Sequence, residues 1–293
     1  MRLSILSAAC GLAACAAAVA MPQSHSHFYV RSTKSSTEER LGFFTGTCTE
    51  KEMTVRKEWR NLSKTEQNNF LDAVQCLMDK PPKSGLAATT SRFSDLQALH
   101  RGMSNTAYAD IIHHVGQFFP WHRYYMHVCE TILREECGYA GSIPYWNEQK
   151  DADRGQMWES SLWGADAFDG RFSNYTLHIG PGDEDTNCLQ RAWNAEMAVS
   201  NANSTSLDMC NAYNTYSPWW DWISNIPHKG VHTYIGGVMA DIKSSPDDPI
   251  FFMHHMYIDR VWWLWQKKDP VNRHYDINGP TLNENANVEP AGG

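Results

Sequence analysis

The sequence predicts a mainly α protein: an antiparallel four-helix bundle that holds a binuclear metal site and is surrounded by long loops. Three observations carry that expectation. Apolar residues recur at helical spacing, with start or stop signals, near 93–115, 122–137, 228–236 and 249–266. Thirteen histidines are unevenly placed, and those near these segments fall into two sets of three. Residues 150–218 are rich in Asp, Asn, Gly and Ser with little periodicity. They read as long loops laid over a helical scaffold and held by Cys188 and Cys210.

The chain of 293 residues is long enough for one sizeable core. A net charge of −8 argues against a nucleic-acid partner, which wants a basic face. Residues 1–20 have the pattern of a secretory signal peptide: Arg2, an Ala-rich apolar run from Leu3 to Val19, and Ala18-Val19-Ala20 as a cleavage site. A secreted, extracellular product is expected. No later run reaches eighteen apolar residues, so no membrane association is expected. Residues 21–47 form a polar lead-in, 48–270 one domain, and 271–293 a polar tail. Sequons at Asn61, Asn174 and Asn203 permit N-glycosylation.

Cys10 and Cys15 leave with the signal, and the six remaining cysteines would form disulfides in an oxidising compartment. One pairing is excluded. Cys129 and Cys137 lie on one helix about 12 Å apart along its axis, beyond disulfide reach.

Taken in order, Met53, Val55, Trp59 and Leu62 suggest a first helical piece. Phe70, Leu71, Val74 and Leu77 suggest a second, opened by a Ser63/Glu66 capping box and stopped by Pro81-Pro82. Phe93 to Leu99 delivers His100. Tyr108 to Val115 leads into a bend at Gly116 and Pro120, and the helix from His122 ends at Gly138. Pro227 and His228 open a short helix that Gly236-Gly237 ends. Asp248-Pro249 then starts the helix that carries His255, Asp259 and Trp262 on one face.

His228 and His232 stand four apart, so both imidazoles emerge from one face, and His255 can join them from the neighbouring helix. His113 and His122 flank the bend, with His100 one segment earlier. Facing helices build metal sites in this way. No Cys-x-x-Cys or His-Glu-x-x-His occurs, and imidazole alone suits copper, zinc, iron or nickel.

The stretch His113-x4-Phe118-Phe119-Pro120-Trp121-His122-Arg123-x2-Met126-x3-Glu130 resembles the copper-A signature of tyrosinases and catechol oxidases. Asp248-Pro249-x-Phe251-Phe252-x2-His255-x3-Asp259 resembles their copper-B signature. Pro227-His228-x3-His232, Cys137-Gly138-Tyr139 and Pro144-Tyr145-Trp146 are similar to further landmarks, and the chain looks most like short secreted fungal members. The resemblance implies two copper ions per chain, O2 as co-substrate and a small phenolic substrate. It implies that His100, His113 and His122 bind one copper, and His228, His232 and His255 the other. Signature spacing selects His113 over His114 and His255 over His254, while His127 reads as an ordinary helix histidine. Arg123 and Asp259 match a charged pair that would tie the two metal-bearing helices together.

The expected activity is oxidation of o-diphenols or o-aminophenols to quinones, with weak monophenol hydroxylation. The alternatives are a tyrosinase with efficient monophenol hydroxylation and a non-catalytic oxygen- or copper-binding protein. Hydroxylating a phenol of pKa about 10 calls for a base. Related oxidases place a Glu before the first copper-B histidine, and an Asn directly after it. Here Ser224 and Lys229 stand at those places. Lys229 puts a cation near the entrance that would attract carboxylated phenols. Ile242, at the gate position, is only medium-sized.

Overall fold

The computed structural model describes residues 54–106, 109–155, 171–172, 175–180, 187–194 and 199–283. The signal segment, the lead-in, Cys48 and the Asn174 sequon lie outside them.

Helix α1 (Lys64–Asp79) opens at the expected capping box. Ser63 Oγ accepts from the Glu66 N–H, and the Glu66 carboxylate accepts from the Ser63 N–H at 2.7 Å. The helix expected before it is reduced to one 3-10 turn at Trp59–Asn61. Glu58 there bridges to Tyr145, and the Trp59 N–H donates to the Tyr145 carbonyl, so inter-segment pairing replaces helical bonds. Helix α2 (Arg92–Ser104) is capped by Ser91 and ends well short of the expected residue 115.

The reason lies in what replaces the helix beyond residue 108. Asp110 Oδ1 accepts from the N–H groups of Ile112 and His113, and His114 sits at φ 54°. Polar segment 276–283 braces this turn. The Gly116 N–H donates to the Pro280 carbonyl and the Asn283 N–H to that of Asp110. A Cβ on Gly116 would lie 2.6 Å from the Asn278 carbonyl oxygen, so only glycine fits.

Helix α3 (Phe118–Cys137) starts four residues earlier than expected, with Pro120 in its first turn, where a missing N–H costs nothing. Gly138 terminates it at φ 66°, its N–H donating to the Arg134 carbonyl. A short α4 (Glu148–Asp153) follows.

Among its described residues, the expected loop region contains one two-residue antiparallel pair, β1 (Thr176–Leu177) with β2 (Asn187–Cys188). It also contains α5 (Ser204–Asn211) and α6 (Tyr216–Ile223). Helix α6 runs through a π turn at Ser224–His228 into α7 (Lys229–Ile235), so Pro227 does not start a helix. The wider π turn accommodates the residue that cannot donate. Helix α8 (Ile250–Lys268) begins at Pro249 as expected, and a single turn, α9 (Pro270–Arg273), follows it.

Helices α2, α3, α6–α7 and α8 form the core, with α1 packed on α2 and α3. One buried cluster joins Phe70, Phe93, Tyr125, Phe251 and Phe252, and a second joins Phe119, Trp219, Trp262 and Trp265. Helix α8 contributes Ile250–Met256 to the first and Tyr257–Trp265 to the second, so His254 and His255 fall close to the seam. Among the described residues no helix is long and apolar enough to cross a membrane.

The expected tie through Cys188 and Cys210 is absent. Both are free, as is Cys129 inside α3. The bridge among the described residues is Cys76–Cys137, which fastens α1 to the end of α3 across 61 residues. Replacing both cysteines by serine should lower unfolding free energy by about 2–4 kcal/mol, as expected for opening a loop of that length. A urea midpoint equal to that of the unmodified protein would contradict this.

Candidate metal centre

Five of the six histidines that the sequence singles out are aimed by an acceptor behind the ring, and His255 is the exception. His100 at the buried face of α2 directs Nδ1 at the Lys243 carbonyl, 3.3 Å away. His122 Nδ1 donates to Phe118 O at 2.8 Å and His228 Nδ1 to Ser224 O at 3.1 Å, each one turn back along its own helix. His232 Nδ1 donates to Met239 O at 2.7 Å. His113 differs, because its Nδ1 donates to the Asp110 carboxylate at 2.9 Å. A ring fixed at Nδ1 turns Nε2 inward with its lone pair free, the form a metal binds.

The rings form two clusters. His100, His113 and His122 have centroids 4.9, 5.3 and 5.7 Å apart. His228, His232 and His255 are 4.5, 5.1 and 5.6 Å apart. The clusters meet where His122 and His255 stack, 4.6 Å apart and 11° from parallel. Phe251 backs His255 at 4.0 Å.

His254 enters the second cluster as well, a neighbour the sequence reading set aside. Its ring lies 4.8 Å from that of His232 and 5.2 Å from that of His228, and its Nδ1 pairs with Glu148 at 2.5 Å. Burial disfavours charge on both partners, lowering the His254 pKa to about 3 and raising that of Glu148 well above the carboxylate range.

The donor set fits a metal. Nε2 of His100, His122, His228 and His254, and both nitrogens of His255, are buried without a hydrogen-bond partner. Unpaired buried polar atoms cost free energy that a bound cation would recover. Burial first, and mostly neighbouring imidazoles next, push His100, His122, His228, His232 and His255 well below their ordinary pKa. The rings therefore stay neutral and able to coordinate.

A cavity of about 200 Å³ opens over the centre. His113, His228 and His232 line it together with buried Ser224. Lys229 and Ile242, both exposed, line its outer part, with half-buried His114. No carboxylate lines it among the described residues. Asp221 is exposed and accepts from Asn225 Nδ2 at 2.8 Å. His114 lies in neither cluster, and His127 is exposed on α3.

Arg123 of α3 donates to Asp259 of α8 at 2.5 Å, and its guanidinium lies 3.8 Å over Trp262. Both charged side chains are partly exposed, so the ion pair contributes about 1 kcal/mol or less, and the stacking adds to it. Asp110 and Glu148 were not legible as site residues. Asp110 gives only an Asp-x-x-His spacing, and Glu148 stands 106 residues from His254.

Residues 90–268 match the common central domain of tyrosinase. The tyrosinase-like protein phomQ1' of Diaporthe leptostromiformis is 32% identical, across 77% of this chain and 67% of that one. An N-acetyl-6-hydroxytryptophan oxidase of Emericella nidulans is 29% identical across 81% and 83%. Among solved structures, a polyphenol oxidase variant from Thermothelomyces thermophila superposes with a TM-score of 0.66 at 26% identity, covering 80% of this chain and 77% of that one. A functional unit of octopus hemocyanin shares the fold, with a TM-score of 0.52 at 21% identity.

Because the inward nitrogens have no protein partner, metal binding should stabilise the fold. Copper at about a thousand times its dissociation constant should add about 4 kcal/mol per site and raise the midpoint of thermal unfolding. Identical calorimetric midpoints for metal-free and copper-loaded protein would contradict this.

Proposed function

The chain belongs to the tyrosinase family of type-3 copper oxidoreductases, and we propose that it oxidises o-diphenols or o-aminophenols to quinones with O2. In this reading His100, His113 and His122 hold one copper, and His228, His232 and His255 the other. The observation that carries it is the pair of buried imidazole triads meeting at His122 and His255 beneath an open cavity. Bound copper supplies dioxygen binding and two-electron oxidation, while the protein supplies position, neutral ligands and access. His255 is preferred to His254 because it faces the other triad, stacked on His122, whereas His254 lies behind His228 and His232.

Selectivity follows from the cavity. A monophenol must lose its proton to bind as phenolate, and no described carboxylate lines the cavity to help. Asp221, the nearest carboxylate in sequence to Ser224, is engaged with Asn225 outside the lining. An o-diphenol is more acidic and more easily oxidised, so it depends less on such a base. Lys229 is the one formally charged side chain in the lining and favours phenols bearing a carboxylate. The relative named as an N-acetyl-6-hydroxytryptophan oxidase takes, by that name, a phenolic amino-acid derivative, which agrees with such a preference. The signal-peptide pattern supports an extracellular site of action.

His113→Ala and His255→Ala should each lower copper content from two per chain to one or fewer and abolish catechol oxidation. His114→Ala should retain both coppers. Equal copper loss in all three, measured by atomic absorption after dialysis, would contradict the assignment.

Turnover of a catechol should exceed that of the matched monophenol by at least about tenfold in kcat/KM, the low end of a general base's contribution. Ser224→Glu with Lys229→Asn should raise the monophenol rate more than the catechol rate. Comparable kcat/KM for both substrates in the unmodified protein would overturn the diphenol preference and favour the efficient monophenol hydroxylase. Copper binding without catechol turnover would favour an oxygen or copper carrier.

A further inference from the structure

We infer that Asp110 is a positioning residue for the copper held by His100, His113 and His122, acting through His113; this rests on the copper-centre reading above. Four imidazoles of the centre are held by backbone carbonyls, those of Lys243, Phe118, Ser224 and Met239. His113 alone among the six proposed ligands is held by a carboxylate, with Asp110 Oδ2 2.9 Å from its Nδ1.

The same carboxylate also builds the turn that presents the ring. Its Oδ1 accepts from the backbone N–H groups of Ile112 and His113, both at 2.9 Å. No helix orients His113, since this segment lies between α2 and α3. Asp110 therefore sets both the backbone and the ring, from one side chain that is almost wholly buried.

No lysine or arginine pairs with Asp110 among the described residues, and its one ion-pair partner is the His113 imidazole. A buried anion without a cation is costly. A copper ion on His113 Nε2 would place positive charge across the ring from that anion. The carboxylate in turn keeps the proton on Nδ1, leaves Nε2 bare, and makes the ring a stronger donor. Carbonyl acceptors fix the tautomer too, but carry no net charge to share.

Asp110→Asn tests this. The amide oxygen can still accept the two backbone N–H groups, but the amide N–H would then face His113 Nδ1 and favour a proton on Nε2. Competition titration of metal-free protein with copper(I) and a chromogenic chelator should show one site weakened about 10–100-fold and the other unchanged. Asp110→Glu should restore part of the loss. A merely structural role would instead lower the melting point of the metal-free protein and leave both copper affinities as they were, which would overturn the proposal.

A measurement on unmodified protein covers the case in which the variant does not fold. With copper(I) bound and the histidine rings labelled with 15N, His113 should show a Nδ1–H proton downfield of those bonded to carbonyls. A His113 ring with metal on Nδ1 would overturn the proposal. Unmodified protein that binds fewer than two coppers would overturn it together with the copper-centre reading. Two coppers with unaltered affinities in Asp110→Asn overturn the role of Asp110 alone.

Discussion

The centre depends on one constraint: five of its imidazoles are held at Nδ1 from behind, so that each turns one bare nitrogen inward. A neutral imidazole in a dry core needs a partner for each polar nitrogen. Satisfying Nδ1 from behind leaves Nε2 as the unmatched atom, and convergence of those atoms defines the centre. The acceptors come from separate parts of the chain: Phe118 and Ser224 within helices, Lys243 and Met239 in the connection before α8, and Asp110 in the turn before α3.

The connection that supplies Lys243 and Met239 is itself braced, with the Val238 N–H donating to the Gln190 carbonyl. Gly236 and Gly237 adopt φ 65° and 52°, and a Cβ on Gly237 would come within 2.1 Å of the Gln190 carbonyl oxygen. Close approach to residues 190–192 is possible only because no side chain intervenes. Arg191 from that strap forms a buried, two-pronged pair with Asp248 at 2.6 and 2.7 Å, and Asp248 Oδ1 also accepts from the Ile250 N–H. One strap thus sets the start of α8 and the backing of His232 together.

Helix α8 passes from one aromatic cluster to the other, and its two adjacent histidines have different surroundings. His255 lies between Phe251 and His122 with neither nitrogen paired. His254 is tied to Glu148, which follows Pro144-Tyr145-Trp146 in the chain. The Trp146 N–H reaches the Met253 carbonyl, so that segment contacts α8 directly beside both histidines.

The sequence by itself determined the helical class, the capping-box start of α1, the Pro249 start of α8, the Gly138 stop and the family resemblance. These depend on neighbours within a few residues, where periodicity, caps and signature spacing are written locally. It named six histidines that the fold gathers into two clusters, left out His254 of the second, and was blind to what stands behind them. It overextended α2 because apolar spacing continues past Ser104, while the Asp110 turn and the 276–283 brace take up the backbone bonds a helix would use. It misread Pro227 as a start because the π turn that absorbs it depends on packing around α6 and α7. Asp110, Glu148, Lys243 and Met239 became site residues only in the folded chain. Hydrogen bonds between groups up to 143 residues apart leave no local pattern, and tertiary packing alone decides which nitrogen of each imidazole remains free.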